Sequence, residues 1–478
     1  MNTRKILFAS ALTFLLAGCG KKNNPDELPS MELIGVSGPS AVTVSENEVP
    51  EEPEVVYEPV RIHLLAIGDN LLHMGMVNSG LQADGSYNFD FEFAPLADYL
   101  ALSDIAIINQ ETPLAGNERG FSGYPSFNSP TEVADAEVKA GFNVILGATN
   151  HAFDQGTEGL VAYADYVTNN YPDTLMCGIH GTWVNPNSAE GASVSSNNTA
   201  PGNNRIRLME INGYTFAFLN YTYGTNLESY PSSLEGHLDM LCAYDESSRI
   251  IDFNTLNPYV VTDIQQADEL ADIVIVCPHW GIEYQNTEND TQRKFAEAMI
   301  DAGADLIIGA HPHVVQPVKW ITTAAGNEGL VYYSLGNYVS TQKQKRSMLE
   351  LMAWVTFVNE EDGSIRLVRE ESGALPIINQ YSYGPLRFSN IYTVDEYTDE
   401  LGASHGIAAW GDGALHADEM NTWSDELLQG WRLTRAQILG EEPFGSDPAA
   451  EDKTTEEADA PANEAETDVV EVTVPGED

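Results

Sequence analysis

Short apolar runs alternate with amphipathic segments through the first part of the chain. Apolar runs bounded by polar residues predict buried strands, and apolar positions at helical spacing predict helices. Strands that alternate with helices are typical of a parallel sheet covered by helices. The expected strands are 62–67, 105–108 and 144–146, and the expected helices are 95–102, 131–140 with Thr131 as N-cap, and 156–167.

After about residue 205 the pattern becomes mixed. Two apolar runs flank Asn212-Gly213, a strong signal for a two-residue hairpin, so antiparallel strands are expected here. A second hairpin is expected around Asp362-Gly363. The expected strands are 206–211, 214–219, 273–276, 305–308, 330–333, 348–358 and 365–370, and the expected helices are 262–270, capped by Thr262 or Asp263, and 291–302.

Composition divides the chain into a folded domain and polar ends. Residues 58–395 carry the strand and helix patterns, interrupted by an Asn-, Ser- and Gly-rich loop at 181–204 that we expect to be mobile. Residues 396–440 carry only weak helical signals. Residues 20–57 and 441–478 are acidic and poor in hydrophobic residues, so a disordered linker and a disordered tail are expected.

Residues 1–19 have the features of a bacterial lipoprotein signal. Arg4 and Lys5 precede an apolar stretch at 6–17 that is short for a membrane-spanning helix. The stretch ends at Leu16-Ala-Gly-Cys19, which resembles a lipobox, and an ordinary cleaved signal is the alternative. We therefore expect acyl chains on Cys19 to anchor the protein to the membrane outside the cytoplasm.

The charge balance excludes some classes of partner. The chain has 478 residues, with 22 basic and 72 acidic ones and a formal net charge of −50. Nucleic acid binding needs a basic surface, so it is not expected. Apart from Cys19, the cysteines Cys177, Cys242 and Cys277 have no zinc-type spacing, and buried free thiols are expected.

Polar residues follow one expected strand after another. Because the carboxyl ends of parallel strands meet at one edge of a sheet, these side chains are expected to converge there. Carboxylate, amide and imidazole groups together suit Mn²⁺, Fe²⁺ or Zn²⁺, and a carboxylate can bridge two ions about 3.5–4 Å apart. Ordinary loop histidines are the alternative. The residues are Asp69, Glu111, Asn150 with His151, His279, and His311 with His313.

Six segments that contain these residues resemble the capsule-synthesis CapA family, also called the poly-γ-glutamate synthesis proteins. The resemblance covers roughly residues 60–390 in order. The segments are Gly68-Asp-Asn-Leu-Leu-His73, Asn109-Gln-Glu-Thr112, Ala148-Thr-Asn-His-Ala-Phe-Asp-Gln-Gly156, His279-Trp-Gly-Ile-Glu-Tyr284, Gly309-Ala-His-Pro-His-Val-Val-Gln316 and Tyr333-Ser-Leu-Gly-Asn337.

The resemblance implies a fold and a set of roles. The family resembles the calcineurin-like metallophosphatases, which have a four-layer α/β/β/α sandwich. By this resemblance Asp69 would bind one divalent metal ion, Glu111 would bridge two, and His151 would protonate a leaving group. Asn150 and His279 would bind the second ion, and His311 and His313 would each bind one of the two.

Further residues are assigned around this site. The first phosphatase motif is Asp-x-His, but here His73 stands four residues after Asp69, so it is expected to contact either metal or substrate. Trp280, Glu283 and Asn337 are expected to support the ligands. Lys343, Lys345 and Arg346 form a basic cluster that is either a solvated loop or an anion-binding site.

Two functions remain open at this stage. The first is a lipid-anchored, metal-dependent hydrolase that acts on a phosphoester or an anionic polymer during synthesis or export of poly-γ-glutamate or capsule polymer. The second is a non-catalytic subunit that uses the same cleft to hold polymer or to dock on a membrane synthase.

Overall fold

The computed structural model describes residues 59–182, 198–384 and 387–445. Its strands are β1 (Arg61–Asn70), β2 (Ile105–Gln110), β3 (Val144–Leu146), β4 (Leu175–Cys177), β5 (Thr199–Ala200), β6 (Asn203–Ile211), β7 (Tyr214–Thr222), β8 (Cys242–Tyr244), β9 (Ile251–Leu256), β10 (Ile273–His279), β11 (Leu306–Ile308), β12 (Val318–Thr322), β13 (Glu328–Tyr332), β14 (Leu349–Asn359), β15 (Ile365–Ser382) and β16 (Arg387–Thr393).

The α-helices lie between and after these strands. They are α1 (Met74–Gly80), α2 (Asp90–Phe93), α3 (Ala97–Leu100), α4 (Glu132–Ala140), α5 (Gly156–Asn170), α6 (Pro258–Leu270), α7 (Asp290–Ala302), α8 (Asp399–Ser404), α9 (Ile407–Trp410), α10 (Ala417–Leu428) and α11 (Arg435–Ile438).

The strands form two seven-stranded sheets and a small two-stranded one, β8-β9. The first sheet has the order β16-β15-β14-β1-β2-β3-β4, and the second has the order β12-β13-β11-β10-β7-β6-β5. In the first sheet β1 to β4 run parallel, and in the second β7, β10, β11 and β13 do. Each sheet therefore has a parallel part whose strand ends face one edge.

The two sheets pack face to face because their strands carry apolar residues on both sides. In β1, Leu64 and Ala66 face a core shared with the second sheet, while Leu65 and Ile67 join the helix-covered core. Phe216 of β7 and Phe357 of β14 meet across the sheets with ring centroids 5.3 Å apart. Alternate side chains thus fill two different layers.

Helices cover the outer faces. Buried residues of α4 and α5 belong to the same core as Leu65, and α6 and α7 contact β7, β10 and β13 of the second sheet. The architecture is helix, sheet, sheet, helix, which confirms the expected four-layer α/β/β/α fold.

Two expected caps differ from those in the structure. Helix α6 begins earlier than expected: Pro258 occupies its first turn, and the side chain of Asn257 accepts a hydrogen bond from Tyr259 N. Asp263 lies inside the helix and is buried, paired with Arg205 Nε at 2.5 Å. Thr131 does precede α4, but its side chain makes no capping hydrogen bond.

The chain after residue 395, where only weak helical character is expected, forms α8 to α11. Leu415, Met420 and Leu428 are fully buried and belong to the core between the sheets. These helices pack on the same core as the sheets.

Several expectations lie wholly or partly outside the described residues. They concern the signal at 1–19 with Cys19, the linker at 20–57, most of the loop at 181–204 and nearly all of the tail at 441–478. Residues 199–200 of that loop form β5. Cys177, Cys242 and Cys277 are free and buried, as expected. In the portion of the chain that the structure describes, no helix has the length and apolar character needed to cross a bilayer.

Candidate metal centre

The oxygen-bearing candidates follow strands of the first sheet. Asp69 lies near the end of β1, Glu111 directly follows β2, and Asn150 lies in the loop after β3. All three are buried. Asn109 Nδ2 donates a 2.7 Å hydrogen bond to Asp69 Oδ1, which fixes the carboxylate of Asp69. Thr149 Oγ1 donates to the backbone oxygen of Glu111 at 3.0 Å, so neighbouring strand ends are tied together.

The imidazole candidates follow strands of the second sheet. His279 ends β10, and His311 and His313 lie in the loop after β11. His311 and His313 have positive φ values of 100° and 59°, which are costly for residues with a Cβ. Gly309 enters this loop so closely that a Cβ there would lie 2.2 Å from Tyr333 O. Close packing of the backbone therefore constrains the course of this loop.

The candidates from the first sheet and the histidines from the second sheet meet at Glu111. Its Oε1 lies 3.8 Å from His279 Nε2, and its Oε2 lies 3.7 Å from His313 Nδ1. His279 Nε2 is also 2.9 Å from Asn150 Oδ1, and His313 Nδ1 is 3.1 Å from Asp69 Oδ2. The structure thus brings the predicted ligand residues together in one buried cluster.

Three groups in this cluster have the geometry to hold a metal ion. In each group the ligand atoms lie within 4.8 Å of one another, and Glu111 belongs to two of the groups. Glu283, expected only as a supporting residue, is exposed but joins a third group. The groups are Asp69, Glu111 and His313; Glu111, His279 and His311; and Glu283, His311 and His313.

The donor atoms fit a divalent cation. Both carboxylate oxygens of Glu111 are buried and have no hydrogen-bond partner in the described chain, and the same holds for Nδ1 of His311. Unpaired buried polar atoms are costly, and a metal ion is one means of satisfying them. Mixed oxygen and imidazole donors suit Mn²⁺, Fe²⁺ or Zn²⁺.

Electrostatics within the cluster favours neutral rings for His279 and His311 and a positive charge on His313. Burial, and then the neighbouring histidines, hold the pKa of His279 and of His311 well below the usual value. Burial opposes protonation of His313 too, but Glu111 and Asp69 outweigh it and raise the pKa of His313 to about 10. Burial also raises the pKa of the Glu111 carboxyl well above its usual value. A carboxylate kept ionised in this buried place therefore needs a cation beside it.

His151 lies beside the cluster and is held by contacts with Asp154 and Phe127. Its Nδ1 is 2.8 Å from Asp154 Oδ2, and Phe127 packs edge-on against the ring with centroids 4.8 Å apart. Asp154 Oδ2 also accepts a 2.7 Å hydrogen bond from Phe127 N. Because Nδ1 faces a carboxylate, Nε2 is the nitrogen left for other partners.

The other predicted site residues take different positions. Asn337 Oδ1 lies 3.0 Å from His313 Nδ1, and Trp280 Nε1 donates to Tyr333 O at 2.9 Å, so both support the histidine loops. His73 is not in any of the three groups. Its Nδ1 lies 3.3 Å from Leu71 O, and its ring contacts Phe127.

The basic cluster has partners of its own. Lys345 Nζ lies 3.0 Å from Glu419 Oε2 of α10. Arg346 donates to Asn286 Oδ1 at 2.9 Å and stacks over Trp423. These contacts direct Lys345 and Arg346 towards protein groups, and nothing in them favours an anion site over a structural role.

Some residues that hold the site carry no readable sequence signal. Asn226 Oδ1 accepts a 3.1 Å hydrogen bond from Asn150 Nδ2, and the ring of Tyr223 lies 4.6 Å from that of His311. Asn220 joins the two sheets, accepting from Ala148 N at 2.8 Å and donating to Cys277 O at 2.7 Å. Among the residues that support the site without being predicted for it, only Asn109 could have been identified from the sequence, because it lies two residues before Glu111.

Solved structures with some likeness to this chain include a phosphatase and a nucleotidase. A novel phosphatase from Mycoplasma pneumoniae is 16% identical, with a TM-score of 0.37, covering 67% of this chain and 95% of that one. The NAD nucleotidase of Haemophilus influenzae is 10% identical, with a TM-score of 0.36, covering 77% of this chain and 67% of that one.

Curated relatives come from bacilli. The capsule biosynthesis protein CapA of Bacillus anthracis is 26% identical over 348 residues, which is 72% of this chain and 75% of that protein. The PGA biosynthesis protein CapA of Bacillus subtilis is 33% identical over 208 residues, covering 43% of this chain and 44% of that protein. The model of the family described as bacterial capsule synthesis protein PGA_cap matches residues 63–342, more than half of the chain and all the clustered residues. The chain therefore belongs to this family of bacterial capsule synthesis proteins.

Proposed function

We propose that this protein is a metal-dependent hydrolase of capsule or poly-γ-glutamate synthesis, acting on a phosphoester or on a bond of the polymer. One observation carries the proposal: Glu111 lies between two groups of ligand atoms with both its carboxylate oxygens unpartnered. A carboxylate in this position suits two cations better than one.

Two divalent ions would be held by different sides of the cluster. Asp69, Glu111 and His313 would hold one ion. Glu111, His279 and His311 would hold the other, with Asn150 Oδ1 beside His279 Nε2. Ions of this kind act as Lewis acids and lower the pKa of water.

His151 would handle the proton of the reaction. Asp154 holds its Nδ1, so Nε2 can give a proton to a leaving group. Phe127 restricts the ring on one side, which keeps the imidazole in one orientation. Asp154 acts through His151 and is therefore a positioning residue.

The test combines metal analysis with turnover. Elemental analysis of the purified full chain is expected to find a divalent metal, and His279→Ala or His311→Ala is expected to lower its content. His151→Ala is expected to keep the metal but to reduce hydrolysis of bis(p-nitrophenyl) phosphate about 10²–10⁴-fold. The exposed His416 supplies the control, since His416→Ala should change neither quantity.

A non-catalytic subunit that holds polymer in this cleft is the second candidate. It is favoured by His73, which does not join the metal-capable groups and faces the backbone of Leu71 instead. Metal retention without turnover of phosphoester or polymer would support this role. Loss of turnover in His151→Ala at unchanged metal content would exclude it.

We also propose that Cys19 carries a lipid anchor and that the domain acts outside the cytoplasm, beside a membrane synthase. The support is the sequence Leu16-Ala-Gly-Cys19 after an apolar stretch. Labelling cells with radioactive palmitate tests it. Wild type should take up label and Cys19→Ala should not; equal labelling would reject the anchor.

A further inference from the structure

An uncharged pocket lies beside the candidate metal centre. Its volume is about 300 Å³, at the lower end of the range for pockets that bind small molecules. Four aromatic side chains line it, those of Tyr223, Phe253, Trp280 and Phe295, and we call it the aromatic pocket. Among the described residues that line it, none carries a charge. In a chain with a formal net charge of −50, this lining distinguishes the pocket from the acidic surface.

Tyr223 connects the aromatic pocket to the metal centre. The centroid of its ring lies 4.6 Å from that of His311 and 6.0 Å from that of Phe253. Its backbone N donates a 3.0 Å hydrogen bond to His279 O, which ties it to the end of β10. A single side chain therefore contacts both a candidate metal ligand and a wall of the pocket.

The segment that follows His279 makes the second connection. Trp280 Nε1 donates to Tyr333 O at 2.9 Å, so the polar atom of the indole is used inside the protein. Gly281 and Ile282 continue along the pocket, and the next residue, Glu283, belongs to the metal-capable group with His311 and His313. The pocket and the metal centre thus share one short stretch of chain.

The polar residues of the pocket bind one another. Asn289 and Gln292 form a capping box at the start of α7, with Gln292 N donating to Asn289 Oδ1 at 2.8 Å and Asn289 N donating to Gln292 Oε1 at 3.0 Å. Gln292 Nε2 donates to Gln316 Oε1 at 2.8 Å, and Thr291 Oγ1 donates to Asn254 Oδ1 at 3.2 Å. An occupant would therefore meet mainly apolar surface.

The pocket has a buried floor and an exposed rim. Leu241 and Cys242 are almost fully buried, whereas Phe253 is 43% and Ile282 is 49% exposed. Single exposed apolar side chains are common on protein surfaces, but two of them at the mouth of a concave apolar site indicate a ligand-binding site. The rim can be mutated without removing buried side chains from the core.

We propose that the aromatic pocket binds an uncharged apolar ring of the substrate, so that the metal centre acts on phosphoesters whose alcohol carries such a ring. The inference rests on the proposed function, in which the phosphoester lies at the metal centre. Aromatic walls favour tilted and edge-on contacts with a flat apolar ring. A glutamate unit of the polymer would instead place its carboxylate among groups that cannot compensate the charge. The pocket therefore favours a phosphoester over a polymer bond as the substrate of this centre.

The experiment measures binding of two phosphonates by calorimetry to the full chain loaded with Mn²⁺. Benzylphosphonate and methylphosphonate share the anionic group, have no ester to hydrolyse and differ in the ring. Benzylphosphonate is expected to bind about 10–100-fold more tightly, because its ring leaves water for the pocket. Phe253→Ala/Ile282→Ala should lose most of this preference, and so should Thr291→Phe, which places a ring in the pocket from its edge. The matched control Leu102→Ala/Leu270→Ala removes similarly exposed apolar side chains elsewhere and should keep the preference.

The outcomes separate the pocket from the hydrolase. Equal affinity of wild type for the two phosphonates, or no binding of either, overturns the pocket, as does an undiminished preference in both Phe253→Ala/Ile282→Ala and Thr291→Phe. Turnover of bis(p-nitrophenyl) phosphate by a protein without the preference would leave the hydrolase standing and remove the pocket. A preference that depends on Phe253 and Ile282, in a protein without turnover, would keep the pocket and remove the hydrolase.

Discussion

Individual histidines in this chain have different tasks, and their hydrogen-bond partners decide which. Asp154 holds one nitrogen of His151, and the proposed role as a proton donor would use the other. His405 uses both nitrogens inside the protein: its Nε2 lies 2.7 Å from Asn379 O, and its Nδ1 accepts from Ile407 N at 3.0 Å. This pairing requires the neutral ring, with the proton on Nε2.

The stability of the fold should therefore fall in acid through His405. Burial lowers the pKa of His405 from 6.5 to about 4. An unfolded chain takes up this proton more readily than the folded one, so the stabilising effect is complete above about pH 6.5 and is lost as the pH falls towards 4. Urea unfolding measured between pH 4.5 and 7 should show a shallower pH dependence in His405→Gln than in wild type.

The exposed His416 provides the comparison for that measurement. His416→Gln should keep the slope of wild type, because the side chain is 59% exposed and its contact with Asp399, at 3.5 Å, lies at the surface. An unaltered slope in His405→Gln would show that the buried ring does not control acid stability.

At the scale of helices and strands, the sequence predicts well those features that depend on residues close together in the chain. Asn212 and Gly213 have φ values of 52° and 86°, as a two-residue hairpin turn requires, and β6 and β7 pair on either side. The positions of the candidate ligands were also foreseeable, since each lies at or just after the end of a strand in the parallel part of its sheet, and parallel strand ends share an edge.

What could not be predicted depends on contacts between distant parts of the chain. Asp263 was a plausible helix cap by its type, but it lies inside α6 and pairs with Arg205, 58 residues earlier in the chain. The hydrogen bond from Asn150 to Asn226 spans 76 residues. Glu283 lies near the histidines in a segment that is bound to their loop, with Tyr284 N donating to Pro312 O at 2.8 Å.

In helix α6 the observed cap, Asn257, can be compared with Thr262, one of the caps expected from the sequence. Asn257→Ala removes the side chain that accepts from Tyr259 N and is expected to cost about 0.5–2 kcal/mol in the free energy of unfolding. Thr262→Ala, inside the helix, is expected to change it by less than about 0.5 kcal/mol. Denaturant unfolding measures both, and a larger loss for Thr262→Ala would mean that the helix begins where the sequence suggested.

For the molecule as a whole, the helices after residue 395 are part of the core. Leu428 is 0% exposed, while Leu227, on the surface, is 45% exposed. Leu428→Ala should therefore cost about 2–5 kcal/mol, and Leu227→Ala should cost far less.

Truncation tests the same point at larger scale. A chain that ends at residue 395 loses Leu415, Met420 and Leu428 from the core between the sheets and is expected to unfold or aggregate. A chain that ends at residue 445 should melt at the temperature of the full protein. Circular dichroism melts compare them, and equal melting of all three would mean that the C-terminal helices add nothing to the core.

The division of ligand types between the sheets has a consequence for assembly. The buried oxygen candidates Asp69, Glu111 and Asn150 precede β5 in the chain, whereas the clustered histidines and the exposed Glu283 follow β7. If the protein were produced as two separate fragments, the first would offer hard oxygen donors from this cluster and the second mainly imidazoles, so each alone would favour a different ion. The two groups that contain Glu111 would be complete only on reassociation, so metal bound there would report correct docking between the two halves.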